Sequence, residues 1–278
     1  MRSLASESRL EMLRSALPLL LCLGAAAPWM GEEHQEDYKH GRRDAEPHSD
    51  KAFCSWKCLK FTLQWPGGFC VSLDSWSHCR IPLNIHNWTI HGLWPQRALD
   101  CCRCWPIFHS DVQELEAELD ELWPSLLKTK SSFLFWKQEW DKHGVCAACV
   151  EGMNSPLRYF QISLKLRGQF DIHKALDAAG IRPSCQQPYK LSEVQSVLAP
   201  VLGDQHEIQC VTDDKDREVW FQVKIPLSHN LTVGCDHKPL LRDEPVPGRS
   251  FSPGHPCPAQ LPLFYFPIDH QQPHRPCG

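Results

Sequence analysis

Apolar and polar residues alternate along several short stretches of the chain, and recur every three to four residues along others. Phe61-Thr62-Leu63-Gln64-Trp65 alternates and stops at Pro66-Gly67-Gly68, which predicts a strand. Trp88-Thr89-Ile90-His91 predicts a second short strand, ending at Gly92. Val219, Phe221, Val223 and Ile225 mark the clearest strand of the chain. Helical spacing places Leu115, Leu119 and Leu122 on one face of a segment that Ser110 can cap and Pro124 stops. Further helices are predicted from Phe133 to about His143, ended by Gly144, from Tyr159 to about Leu166, and from Asp171 to Ala179, ended by Gly180. Ser192-x-x-Gln195 reads as the capping box of a fifth. Strands and helices mix without βαβ regularity, so the expected class is α+β, a central, mainly antiparallel sheet with several helices packed on it.

The two ends differ from this middle. Arg2, Arg9 and Arg14 precede an apolar run from Ala16 that closes in small residues, so residues 1–27 read as a signal peptide. The run is too short for a spanning helix and no later stretch is long enough, so no membrane association is expected. Residues 28–50 read as a polar leader and 51–267 as one domain. Ten of the 23 prolines fall from 239 onward, and the last residues, 268–278, read as a loose tail. Within the proline-rich part, Leu261-Pro262-Leu263-Phe264-Tyr265-Phe266 is expected to dock as an edge strand.

Cysteine and charge then narrow the setting. Of 15 cysteines, Cys22 would leave with the signal, and an even, high remainder implies disulfides in an oxidising compartment, secreted or lysosomal. Cys101-Cys102-x-Cys104 with Cys146-x-x-Cys149 also admits a zinc reading, which the signal sequence disfavours. The formal charge of −4 argues against a polyanion partner at neutral pH, but 15 histidines would carry the chain to +11 if all were protonated. An acidic compartment would suit an anionic ligand. Asn87-Trp88-Thr89 and Asn230-Leu231-Thr232 fit the glycosylation pattern, Asn230 in the more polar surroundings. Nothing signals oligomerisation, and a monomer is expected.

Two segments carry chemistry. In Phe135-Trp136-Lys137-Gln138-Glu139-Trp140-Asp141-Lys142-His143-Gly144, a helix puts Glu139 and His143 on one face and Gln138 and Lys142 on the next. His143 would lie at the helix C-terminus, where the dipole favours its protonated form. In Trp88-Thr89-Ile90-His91-Gly92-Leu93-Trp94-Pro95, a histidine ends a strand before a glycine, and Trp94 offers a flat face to a nucleobase. Taken singly, the first could be a solvated helix and the second a core histidine beside core tryptophan.

Together these segments resemble the two active-site signatures of the ribonuclease T(2) family of acid ribonucleases. Leu63-Gln64-Trp65-Pro66 with Cys70, Gly180-Ile181-x-Pro183-Ser184, Ile208-Gln209-Cys210 and Phe264-Tyr265-Phe266-Pro267 extend the resemblance over roughly residues 60–267. The resemblance implies cleavage of single-stranded RNA by attack of its own 2′-OH, giving 2′,3′-cyclic phosphates without metal or other cofactor. It implies His143 as base, His91 as acid, and Lys142 and Glu139 as stabilisers of the phosphorane. Trp94 and Gln96 would bind the base. Gln138 stands where that family usually has a third histidine, a phosphate-holding position. A neutral amide there implies weaker activity with less dependence on acid pH. Gln96 stands where many members have an acidic residue, which leaves base preference open. The resemblance also implies disulfides Cys70–Cys79, Cys101–Cys146 and Cys210–Cys257, with Cys235 pairing with Cys185 or staying free. The alternative is a weakened or inactive relative that binds RNA or protein.

Overall fold

The computed structural model describes residues 56–73, 78–98, 101, 104–235 and 254–278. The expected signal peptide, the polar leader and the proline-rich stretch 239–253 lie outside the described residues, as do Cys54 and Cys102. The fold is α+β, as the periodicities indicate. Strand β1 (Cys58–Gln64) sits between β2 (Thr89–Pro95) and β5 (Glu218–Ser228), antiparallel to both. Strands β3 (Pro188–Tyr189), β4 (Glu207–Thr212), β6 (His255–Pro256) and β7 (Leu263–Phe264) complete a seven-stranded sheet with the path β2-β1-β5-β4-β6. Among the described strands only the β5–β7 pairing is parallel.

Alternation gives the sheet two unlike faces. Leu59, Phe61 and Leu63 of β1 and Val223, Ile225 and Leu227 of β5 are buried on one face. There they meet the helices, with Phe61 against Phe170 at 6.0 Å between rings. Lys60, Thr62 and Gln64 lie on the other face, paired in register with Pro226, Lys224 and Gln222.

Strand β2 departs from the expected end at Gly92 and runs on to Pro95. Gly92 pairs with Thr62 while Ile90 pairs with Leu63, so His91 is an extra residue, a β-bulge. Strand β7 is not at an edge. Strand β1 stops at Gln64 opposite Gln222, which leaves the start of β5 unpaired on that side. Leu263 and Phe264 pair there with Glu218 and Val219, and β3 adds beyond them.

The longer helices are α1 (Glu116–Leu122), α2 (Ser132–Glu139), α3 (Pro156–Gln169), α4 (Ile172–Ala178) and α5 (Leu191–Leu202), and one further turn of helix, Pro66–Phe69, follows β1. Two 3-10 turns precede α1, and Ser110 does not cap it; instead the Asp111 carboxylate accepts from the Phe108 N–H at 2.8 Å. Ser192 falls inside α5, which starts earlier so that Leu191, Val194, Leu198 and Leu202 form its buried stripe. Ser155 and Asp171 cap α3 and α4. Beyond Glu139, α2 continues as a π-helical turn (Trp140–Gly144) and a last α turn (Val145–Ala147). Gly144 therefore does not end the helix. A Cβ there would meet the Trp140 ring at 2.2 Å, so glycine serves close packing. His143 consequently lies within a continuing helix rather than at its C-terminus.

Disulfides join Cys58–Cys235, Cys70–Cys79, Cys101–Cys146, Cys185–Cys277 and Cys210–Cys257. Cys104 and Cys149 are disulfide-bonded as well. The expected choice for Cys235, Cys185 or a free thiol, is overturned. After β5 the chain turns back, with Val233 bridging Leu227, and so returns Cys235 to Cys58 at the start of β1. Cys185 instead holds Cys277. Residues 268–278 are thus not a loose tail, and His274 also accepts a hydrogen bond from the Cys79 N–H at 3.0 Å. Cys101 and Cys146 are oxidised together and Cys104 and Cys149 are also disulfide-bonded, so these four thiols are not available as zinc ligands. No described helix is long and apolar enough to cross a membrane.

Candidate active site

The polar face of β2 and the α2 helix beside it form the site. In an unbroken strand Trp94 would share the core face of Ile90, away from His91. The bulge sends Leu93 to the core and brings Trp94 to the face of His91, so that the two, three residues apart, meet with ring centroids 5.1 Å apart. Gly92 between them is required. A Cβ there would lie 2.1 Å from Trp94 Nε1 and 2.3 Å from Glu139 Oε2. The strand is anchored where it begins, since the buried Arg167 guanidinium donates to the Trp88 carbonyl through Nε at 3.0 Å and Nη2 at 2.8 Å.

Trp94 is the hub. Its indole N–H donates to the Glu139 carboxylate at 2.8 Å, and its ring lies 5.4 Å from that of His143. With His91 at 5.1 Å from the same indole and His143 at 5.4 Å, the two imidazole centroids are no more than about 10.5 Å apart. Two histidines distant in sequence therefore both lie against one indole, whose N–H binds the Glu139 carboxylate. The π-helical turn contributes here, as such turns commonly do at functional sites. It carries Lys142 and His143 in a wider coil than the α-helix that carries Glu139.

His91 is held on all sides. Phe135 and Phe69 stand 6.0 and 6.3 Å from its ring, and Trp123 Nε1 donates to its backbone carbonyl at 3.0 Å. The Gln222 side-chain amide meets His91 Nδ1 at 2.6 Å. An amide suits a histidine that must gain and lose a proton, because its nitrogen donates to a bare Nδ1 and its oxygen accepts from a protonated one. Sequence reading missed Gln222. Its only sign was a polar residue inside an otherwise apolar strand, which alternation explains equally well as surface.

Electrostatics divide the titratable groups. Burial pulls the His91 pKa down to about 4, helped by the positive charges of Lys224 and Lys142. Burial pushes the Glu139 carboxyl up to about 7, against the Trp94 hydrogen bond and the charges of Lys142 and Lys130, which hold it lower. In the free protein at mildly acidic pH, His91 is accordingly neutral and Glu139 largely protonated.

The other expected residues fall as follows. Lys142 is exposed one helical position before His143. Gln138 does not join Lys142; its amide oxygen accepts from Lys130 Nζ at 2.5 Å. Gln96 folds back, its amide nitrogen donating to the Trp94 carbonyl at 2.9 Å, and no described contact links it to His91, Glu139 or His143. The Cys101–Cys146 disulfide fastens the segment after β2 to the last turn of the α2 helical run. Asn230 is exposed in the turn after β5, whereas Asn87 is half-buried, its Oδ1 accepting from the Trp88 N–H.

The family model described as the ribonuclease T2 family matches residues 56–238. The chain is 34% identical to human ribonuclease T2 over 201 residues, 72% of this chain and 69% of that protein. It is 30% identical to ribonuclease Oy of Magallana gigas over 222 residues, 77% of this chain and 97% of that protein. Among solved structures, human RNase T2 superimposes with a TM-score of 0.63 at 30% identity, over 76% of this chain and 99% of that one. RNase NT in complex with 5′-AMP superimposes with a TM-score of 0.60 at 25% identity, over 76% and 98%.

Proposed function

The chain belongs to the ribonuclease T2 family, and on that premise we propose that it is an endoribonuclease that cuts single-stranded RNA by transphosphorylation. The observation that carries this reading is the placement of His91 and His143 against the same Trp94 indole, with Glu139 bound to it.

The substrate brings its own nucleophile. His143 takes the proton of the 2′-OH; O2′ attacks phosphorus; the P–O5′ bond breaks; and His91 gives its proton to O5′. The products are a 2′,3′-cyclic phosphate and a free 5′-OH. Water then adds with the proton roles reversed, giving a 3′-phosphate. The phosphorane gains negative charge, which Lys142 balances and a protonated Glu139 can meet as a hydrogen-bond donor. Proton transfer and charge balance are both provided by side chains, so the reaction is proposed to need no metal. Trp94 serves as a stacking face for a base.

His91 must be protonated to act as the acid. A phosphate anion set against the ring raises its pKa from the low value of the free protein, so His91 becomes an acid in the complex. The same low value favours a second reading in which the roles are exchanged, His91 acting as base and His143 as acid. RNA with sulfur in place of the bridging O5′ separates the two, because a thiolate departs without an acid. Such a substrate restores His91→Ala if His91 is the acid, and His143→Ala if the roles are exchanged. On ordinary RNA at pH 5, with chelator present, either variant should fall at least ~100-fold. Near-normal cleavage by His143→Ala would refute the assignment, and binding without cleavage by the unaltered protein would make it an inactive relative. The abundant disulfides support a site of action in an oxidising lumen, secreted or lysosomal.

A further inference from the structure

We infer that Lys130, held on Gln138, is a substrate-binding residue that supplies positive charge and hydrogen-bond donors to the phosphate at this site. The inference deepens the ribonuclease reading and rests on it for the identity of the ligand.

Lys130 Nζ donates to Gln138 Oε1 at 2.5 Å. The acceptor is neutral, so the ammonium keeps its full charge, and no carboxylate lies within ion-pair distance of Lys130 among the described residues. One of three ammonium N–H groups is used, leaving two as donors. With its oxygen engaged, the Gln138 amide offers its NH2 as a donor. The pair thus presents donors and positive charge, as an anion requires. It adjoins the reacting groups: Gln138 precedes Glu139 on α2, and the Lys130 charge acts on the Glu139 carboxyl.

Lys130 is also pre-positioned. It is half-buried, in a turn closed by its N–H to the Leu127 carbonyl at 3.2 Å. That turn is pinned on one side by the Cys79–Leu127 bridge and by Lys128 N–H to the His78 carbonyl at 2.8 Å. On the other side Ser131, the next residue, caps α2. An ammonium held this way loses less freedom on binding an anion than a lysine on a mobile loop would.

The test uses the full chain with inorganic phosphate, both as a titrated ligand and as an inhibitor of dinucleotide cleavage, at pH 5 and pH 7.5. Lys130→Gln should weaken phosphate binding and lower kcat/KM by roughly 10- to 100-fold at both pH values, with an unchanged melting temperature. Lys130→Arg should stay within roughly threefold of the unaltered protein. Lys130→Gln combined with Gln138→His should recover at pH 5 and not at pH 7.5, because an imidazole carries charge only on the acid side. Unchanged phosphate affinity and kcat/KM in Lys130→Gln would overturn the inference. So would a loss that follows the melting temperature instead of phosphate affinity. A protein that binds phosphate through Lys130 yet leaves RNA intact would sink the ribonuclease reading alone.

Discussion

Replacing Glu139 by glutamine tests the electrostatics of the site without altering its shape. The carboxyl is almost wholly buried and hydrogen-bonded to Trp94, and its pKa is pushed from 4.5 to about 7. A glutamine oxygen can accept the same indole N–H. Below pH 4.5 Glu139 is protonated in both the folded and the unfolded chain, so the variant should differ little. As pH rises, the unfolded chain ionises freely while the folded chain resists, and folding weakens until the folded group has also ionised, above about pH 7. At ~1.36 kcal/mol per pKa unit, the penalty at pH 8 amounts to roughly 3 kcal/mol. Glu139→Gln should escape it. Urea unfolding followed by tryptophan fluorescence, with disulfides intact, should show the variant gaining roughly 3 kcal/mol on the unaltered protein between pH 4 and pH 8. Its cleavage rate should fall and lose the descending limb near pH 7. Parallel stability curves for the two proteins would refute the claim that burial governs this carboxyl.

Two more predictions concern His91. Its ring resonances should titrate near pH 4 in the free protein and shift upward by about one unit or more when inorganic phosphate is added, since an adjacent anion favours the imidazolium; a free value near 6.5 would contradict the packing account. Gln222→Leu removes the amide at Nδ1 and should lower kcat by roughly tenfold while leaving KM nearly unchanged; an unaltered kcat would show that the amide does not position the ring.

Strand and helix periodicities in this chain were legible because each element buries one face. Leu59, Phe61 and Leu63 alternate as the sheet requires, and Leu191, Val194, Leu198 and Leu202 recur as a helix requires. Helix ends were less legible. Gly144 has the look of a stop signal, yet the helix passes through it because Trp140 needs the room. Cysteine spacing likewise could not reveal that Cys277 returns to Cys185, since the partners are brought together by a tail without a periodic pattern of its own.

What the residues determine by themselves is the chemical inventory: two imidazoles, a carboxyl and an ammonium in two short segments, in a chain rich in disulfides. What the tertiary structure decides is where each points and how it titrates. Alternation from Ile90 turns His91 to the polar face, but only the bulge opposite Thr62 and Leu63 returns Leu93 to the core and sets Trp94 on the same face as His91. Trp94 then gathers groups more than forty positions apart in the chain, and burial sets the proton affinity of His91 and Glu139 in opposite directions. Strand register and desolvation arise from contacts between distant segments, which no local pattern of residues encodes.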